Sequence, residues 1–525
     1  FTSVRLGVNV GFTVSNYYAA YSDPRFLRTL VNSLVYAGGS TLLALSVAAA
    51  MAWVVTRTNT PLKGLAALTP LLALLMPPMM DNIAWIFLLA PRSGILNSFL
   101  AETLGIRALF SAFSLPAMMW VHGLSVVPLM YVIVLPAFST TDRSLEEAAH
   151  LSGAGAFKTL RMVTLPLALP AILSATAVGV LNGLRSFETP TLQGIPAGIP
   201  VFVSLVYEAA ELEFNYGLAV AYATILLILT LCVVWVYVRV TRTAEKYAVI
   251  AGRAIKPRIV DIGKWRFVTL AFVLSYFIVA IIVPFTVVFI SSVIPTFTYE
   301  FFRKFYDHLT TYNYAAVLRY PTFLSGLANS LYIATATAFI ALFGGTVMSY
   351  VAQRGKMHWR NVFETVGTLP LGFPGLIISL GLLLAYFGTP FYNSALGILL
   401  AFVIFYFPYG IRTTSGALIR IHKEMEEAAR VHGASWKFAF GKIMLPLLRP
   451  ALESGFFYIF IVAYREVGAA VLLTGPGVNY GAVTLFEYYR LGQWAEMAAG
   501  SIIYAALLLL IVLAAKYLLR ITVRL

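Results

Sequence analysis

The stretch Glu146-Glu147-Ala148-Ala149-His150-Leu151-Ser152-Gly153-Ala154 returns 280 positions later as Glu426-Glu427-Ala428-Ala429-Arg430-Val431-His432-Gly433-Ala434. With nine residues intervening after the glycine of the motif, both copies reach the same ending: Val163-Thr164-Leu165-Pro166 and Ile443-Met444-Leu445-Pro446. Ala and Glu favour a short helix. Gly permits the left-handed turn that ends it, and Leu-Pro marks where the next segment bends away. The same offset relates Pro170 to Pro450 and Arg185 to Arg465. Upstream the offset becomes 297, pairing Asn16-Tyr17 with Asn313-Tyr314 and Asn32-Ser33-Leu34 with Asn329-Ser330-Leu331. A chain that repeats at this period is built of two halves.

The repeat is embedded in a membrane-protein composition. Of 525 residues, 60% are apolar and 11% charged, with a mean hydropathy of +0.84. Soluble domains run to about 45–50% apolar and about 25% charged, so a soluble, disordered or disulfide-built chain is excluded. The one cysteine, Cys232, lies in an apolar run and allows no intramolecular disulfide. Crossing about 30 Å of hydrocarbon takes about 20 mainly apolar residues. Such runs predict eleven spans, at 31–55, 66–90, 114–138, 167–188, 217–238, 267–290, 328–352, 362–388, 394–411, 450–470 and 497–519.

Lys and Arg divide unevenly between the loops. One side carries 26 of them, including the run from Arg239 to Arg266 and the loops that hold the repeated motif, and the other side carries 9. By the positive-inside rule the richer side is cytoplasmic. The net charge of +15 therefore reflects orientation, and no stretch interleaves basic and aromatic residues as nucleic-acid binding would need. An even number of spans separates the two motif copies, so the repeat is parallel, unlike the inverted repeats of many secondary transporters. The span at 267–290 precedes Asn313-Tyr314, and its first-half equivalent would fall before residue 1. The expectation is an all-α polytopic protein of two tandem parallel halves, eleven spans visible and twelve in an intact chain. The halves are placed at 1–240 and 267–525, with a cytoplasmic linker at 241–266.

With its spacing Glu-Ala-Ala-x3-Gly-x9-Ile-x-Leu-Pro, the repeated loop resembles the signature of the MetI-like permeases of binding-protein-dependent ABC importers; Val163 replaces the usual Ile in the first copy. That resemblance covers nearly the whole chain. It implies that Glu147, Ala148, Ala149 and Gly153, with Glu427, Ala428, Ala429 and Gly433, form two coupling helices seated on two cytoplasmic ABC ATPase subunits. It further implies an extracytoplasmic solute-binding protein, and a multi-pass location in a prokaryotic plasma membrane. Fusion of both halves resembles the permeases for ferric iron, thiamine and aminoethylphosphonate. The loops Gly94-Ile95-Leu96-Asn97, Ser186-Phe187-Glu188-Thr189-Pro190 and Gly194-Ile195-Pro196-Ala197-Gly198 are most similar to the ferric-iron group. Thiamine, phosphonate, polyamine and sugar remain alternative cargoes, and a secondary transporter without ATPase partners is the alternative class.

No Gly-x4-Gly-Lys-Ser/Thr loop occurs, so ATP and Mg are expected on partner subunits. The six histidines are scattered, with no metal-ligand spacing. No catalytic constellation and no metal site is expected, and the chain reads as a permease subunit, not an enzyme. Arg185, followed by Glu188, and Arg465, followed by Glu466, end equivalent spans. Charge there either snorkels or pairs locally or lines a pathway or gate. The segment 189–216, with Glu208, Glu211 and Glu213 and no Lys or Arg, reads as an outer loop that either docks a binding protein or is simply cleared of positive charge. Trp53, Trp85 and Trp265 read as interface anchors.

Overall fold

A computed structural model describes residues 2–5, 8–140, 148–149, 151–248, 259–355, 362 and 366–518. The chain divides into two compact units, Phe1–Tyr312 and Asn313–Leu525. Among the described residues nine helices are long and apolar enough to span a membrane, and two bent helix pairs raise this to eleven if each pair counts as one span. Over the described residues the architecture is helical apart from one short antiparallel hairpin, β1 (Thr2–Arg5) with β2 (Val8–Phe12).

In the first unit, α1 (Ser15–Ser22) leads into the long α2 (Phe26–Arg57). Next come α3 (Lys63–Ala73), α4 (Pro78–Leu89), α5 (Ile95–Leu104) and α6 (Leu115–Thr140). The run expected as a single span at 66–90 is α3 and α4, bent by 94°. The cause is local: Pro77 precedes Pro78, and a residue before proline is driven out of the helical region, so Pro77 is extended at ψ 135°. The remainder comprises α7 (Leu165–Arg185), the short buried α8 (Phe202–Tyr207), α9 (Tyr216–Ala248), and α10 (Trp265–Phe277) with α11 (Val283–Ser292), joined by a π turn. A final short helix, α12 (Tyr299–Arg303), follows.

The span formed by α10 and α11, expected at the head of the second half, packs in the first unit, α11 against α4. The packing boundary therefore falls at Tyr312/Asn313 and not at the linker. Residues 259–262, the described end of that linker, are stapled to the end of α2: the Val260 N–H donates to Arg57 O at 2.7 Å, and Asn59 Nδ2 to Asp261 Oδ1 at 2.5 Å.

The second unit repeats the plan. It holds α13 (Tyr312–Arg319, from Asn313 on), α14 (Pro321–Arg354), α15 (Gly375–Tyr386), α16 (Ala395–Arg420), α17 (Glu424–Val431), α18 (Leu445–Tyr464), α19 (Gly481–Arg490) and α20 (Trp494–Leu518). Its bent pair, Val366–Gly372 with α15, turns by 112°, and Phe373 before Pro374 is extended at ψ 128°. The span expected at 362–388 is thus broken too. That expected at 450–470 ends at Tyr464.

The units are packed through small residues. The α2 face buries Ala37, Ser40, Thr41, Ala44 and Ala48, and a Cβ on Gly183 of α7 would lie 2.7 Å from Ala37 Cα. In the second unit α14 and α16 approach so closely that a Cβ on Gly410 would sit 2.2 Å from Ala341 O. Lipid supplies little hydrophobic drive between helices, so such backbone contact carries the association. Trp85 is buried against Trp120, ring centroids 5.8 Å apart, and so is core and not an interface anchor, whereas Trp265 is exposed.

This packing makes a paired prediction. Gly410→Ala drives a methyl into backbone and should cost about 1–3 kcal/mol, lowering the detergent melting temperature. Gly416→Ala, with nothing within 4 Å, should hold it or raise it, since Ala favours a helix over Gly by about 1 kcal/mol. Equal melting temperatures for the two variants would refute the close crossing.

Candidate functional site

The repeated loops fold alike wherever both are described. The Ala154 N–H donates to Ala149 O at 3.0 Å, and the Ala434 N–H donates to Ala429 O at 3.0 Å. In each case the intervening glycine, Gly153 or Gly433, has φ +81°. This six-to-one closure with a left-handed residue is the C-terminal cap that glycine suits best. It accounts for the fixed distance from the Ala-Ala pair to Gly. Short helices at Ala156–Thr159 and Trp436–Ala439 follow, then π turns at Leu160–Thr164 and Phe440–Met444. Pro166 and Pro446 have no N–H and crowd the carbonyl four residues back, and the helix widens just ahead of them to make room.

Two side chains of α14 fix the second loop. Arg354 Nη2 donates to Leu418 O at 3.1 Å and to Ile421 O, at the end of α16. One turn earlier, the Tyr350 hydroxyl donates to Glu426 Oε1, which α17 buries. The first unit repeats the arginine contact: Arg57, fully buried, donates from Nε to Phe138 O at 2.7 Å. Arg57 and Arg354 are 297 apart, Phe138 and Leu418 280 apart, matching the repeat. A cation on the last carbonyls of a helix also meets the negative end of its dipole.

What each loop leaves outward is also shared. Ala148, Ser152 and Gly153 are exposed, as are Glu427, Ala428, His432 and Gly433. Leu151 and Val431, repeat equivalents, are 88% and 84% exposed. Ala149 and Ala429 are half-buried, and Glu147 lies outside the described residues.

At the opposite ends of these spans, each unit folds a segment back into itself. Residues 189–194 and 201–207 are buried, as are 467–473 and most of α19; the expected outer loop at 189–216 is core over much of its length. The Asn-Ser pairs of the repeat hold these segments. Asn32 Nδ2 donates to Pro200 O at 3.1 Å, and Ser33 Oγ accepts from the Phe202 N–H at 3.0 Å. Asn329 Nδ2 donates to Asn479 O at 2.8 Å, and Ser330 Oγ accepts from the Gly481 N–H at 2.9 Å. Glu208 is half-buried, its carboxyl pushed up by burial against the opposing pull of Arg25, which lies 3.6 Å away.

Two stretches of the chain, residues 40–246 and 341–524, match the model of the binding-protein-dependent transport system inner membrane component. The chain belongs to this family. Relatives include the ferric transport system permease protein FbpB of Actinobacillus pleuropneumoniae, 22% identical over 92% of this chain and 70% of that protein. The Fe(3+)-transport system permease protein FbpB 2 of Haemophilus influenzae is 22% identical over 71% of this chain and 70% of its own length. The putrescine transport system permease protein PotI of Escherichia coli is 32% identical over 35% of this chain and 69% of its own. The chain is a fused two-half transport permease and a multi-pass plasma-membrane protein.

The other residues singled out in the permease sequence fall as follows. Arg185 ends α7, and Glu188 opens the buried segment after it. Arg465 caps α18. Glu466 accepts from the Tyr406 hydroxyl at 2.8 Å and the Ala469 N–H at 3.0 Å. Asn97 of the Gly94–Asn97 loop is an internal staple, bonded to Ala90 O at 3.0 Å and Phe110 O at 2.8 Å. No metal-holding group of three or more His, Cys, Asp or Glu occurs among the described residues. The arginine clamps and Tyr350 carry no motif of their own; only alignment of the repeat finds the arginines.

Tyr350→Phe removes one bond to a buried carboxylate, a loss of about 1–3 kcal/mol. Amide exchange in Glu424–Val431 should quicken by roughly 10-fold or more while α14 stays protected. Unchanged exchange in α17 would show that the bond does not hold it.

Proposed function

We propose that the permease belongs to an ATP-driven importer and that two cytoplasmic ABC ATPase subunits seat on its repeated loop helices. A solute arrives from an extracytoplasmic binding protein. ATP and Mg sit on the ATPases, and the chain has no catalytic role of its own. The observation that carries this reading is the pair of exposed apolar tips, Leu151 and Val431, at equivalent positions beside small Ala residues. One exposed Leu needs no explanation; the same tip produced twice, on the Lys/Arg-rich side, fits two copies of one partner surface. Ala148 and Ala428 let that surface approach, and Glu147 and Glu427 orient it by charge. ATP binding then has only to favour one of two packings of the halves.

Ferric iron is the proposed cargo. The relatives named for it match this chain across both halves, whereas the putrescine relative matches about a third of it. Arg185, Glu188 and Arg465 are assigned to the path or its gate. Glu466, doubly bonded inside its unit, is assigned a fixed anchoring role at the same place.

The test uses the whole transport system. Leu151→Asp with Val431→Asp should leave the permease in the membrane yet abolish co-purification of the ATPase in mild detergent. Retained ATPase would end the docking assignment. Glu147→Ala with Glu427→Ala, and separately Gly433→Val, should lower uptake at least 10-fold relative to ATP hydrolysed; the Val strains a left-handed residue by about 1–2 kcal/mol. Cells carrying the wild-type system should accumulate ferric iron and not putrescine or thiamine, and the reverse result would reassign the cargo.

A further inference from the structure

The two units share a frame, but their interiors differ in chemistry. In the first unit Tyr36, fully buried, donates from its hydroxyl to Ser186 Oγ at 3.0 Å, and its ring lies 5.3 Å from the ring of His122. His122 is buried and its Nε2 has no hydrogen-bond partner. Four residues before it on α6, Met118 reaches toward Gly194, coming within 3.1 Å of where a Cβ there would stand. Gly194 closes the π turn Pro190–Gly194, which packs on α4 and α6. Within that turn Gln193 is fully buried with neither Oε1 nor Nε2 bonded, and the Thr191 hydroxyl is likewise unpartnered. On α4, Asn82 Oδ1 is buried and unpartnered as well.

The repeat supplies an internal control. Pro128 and Pro408 align α6 with α16, 280 apart. The Thr191 N–H donates to Phe187 O and the Val471 N–H to Val467 O, aligning the folded-back segments at the same offset. On that register His122, Thr191 and Gln193 become Phe402, Val471 and Leu473, Tyr36, at 297, becomes Ile333, and Ser186 becomes Glu466, the one polar equivalent. Two tyrosines of the second unit are satisfied internally: Tyr406 on Glu466, and Tyr480 on Ala463 O at 2.6 Å. The same backbone plan therefore closes with apolar side chains in one unit and open hydrogen-bonding groups in the other. A buried polar group left unbonded costs about 1–3 kcal/mol, so a dry core at these places gains nothing from them.

We propose, resting on the transport reading above, that Tyr36, His122, Ser186, Thr191 and Gln193 form a polar station in the first unit for a solute in passage, four of the five having apolar equivalents in the second. The groups are uncharged donors and acceptors, with no metal-holding cluster among the described residues. They fit a solute that presents hydroxyl or bound-water oxygens, such as a hydrated or oxygen-chelated ion, and not a bare cation.

The second unit dictates the test. H122F/T191V/Q193L installs its residues in the first unit within the full transport system. Exchanging unbonded polar groups for apolar ones of similar shape is close to neutral for stability. The melting temperature should hold or rise while uptake of iron(III), supplied as citrate, falls at least 10-fold. Uptake within twofold of wild type overturns the station. A parallel arm decides the matter without reference to cargo, and also if the triple variant fails to accumulate. Thr191→Cys in a Cys232→Ser background should react with a small charged thiol reagent in at least one nucleotide state. No labelling in any state overturns the station. If wild type itself accumulates no iron while Thr191→Cys still labels, the cargo assignment fails and the station stands.

Discussion

The arginine that ends α2 in one unit and α14 in the other is the constraint on which the loop geometry rests. Arg57 and Arg354 each place a guanidinium on the last carbonyls of the span that runs into the repeated loop. Those carbonyls have no partner within their own helix. A charge-assisted bond there, worth about 1.5–3 kcal/mol, is reinforced by the helix dipole. It ties two spans together where the chain leaves them, so the loop begins from a fixed point. In the second unit Tyr350 adds a further hold one turn away, on the loop helix itself. Force applied to that helix is therefore delivered to a pair of spans and not dissipated in a slack connection.

The same logic recurs at the other ends of the spans. Asn32-Ser33 and Asn329-Ser330 satisfy a carbonyl and an N–H at the start of a short buried helix. A segment that folds back into apolar surroundings must have its backbone groups paired. Two side chains from a long helix provide this at one crossing. Duplication preserved both devices, and the side chains around them diverged.

Much of this was legible in the sequence. The repeat, the span count and the turn at Gly153 and Gly433 follow from spacing and residue type, because a left-handed cap admits few residues other than glycine. Hydropathy alone missed the bends at Pro77-Pro78 and Pro374, since an apolar run scores the same straight or folded. It also misreads 189–194, whose Thr, Gln and Pro content imitates a surface loop although the segment is buried. Trp85 resembles an interface anchor for a related reason: proximity to a span end in sequence becomes depth in the core once the span is bent by 94°. A count of Lys and Arg sees Arg57 and Arg354 only as positive charge on one side of the membrane. Their directional role needs the partner carbonyls, which lie 81 and 64 residues away in the chain.

Comparing the two units separates frame from function more sharply than either unit does alone. A residue that merely completes the fold ought to be replaceable by its equivalent in the other half, because the backbone around it is the same. The clamps meet that expectation: arginine answers arginine, and Asn-Ser answers Asn-Ser. His122, Thr191 and Gln193 do not, for their equivalents are Phe402, Val471 and Leu473, side chains with no polar group to satisfy. In hydrocarbon surroundings the polar version is the costlier one, so the frame alone gives no reason to retain it. Its presence in one unit only is what a solute site confined to that unit requires, since the frame common to both units is complete without it.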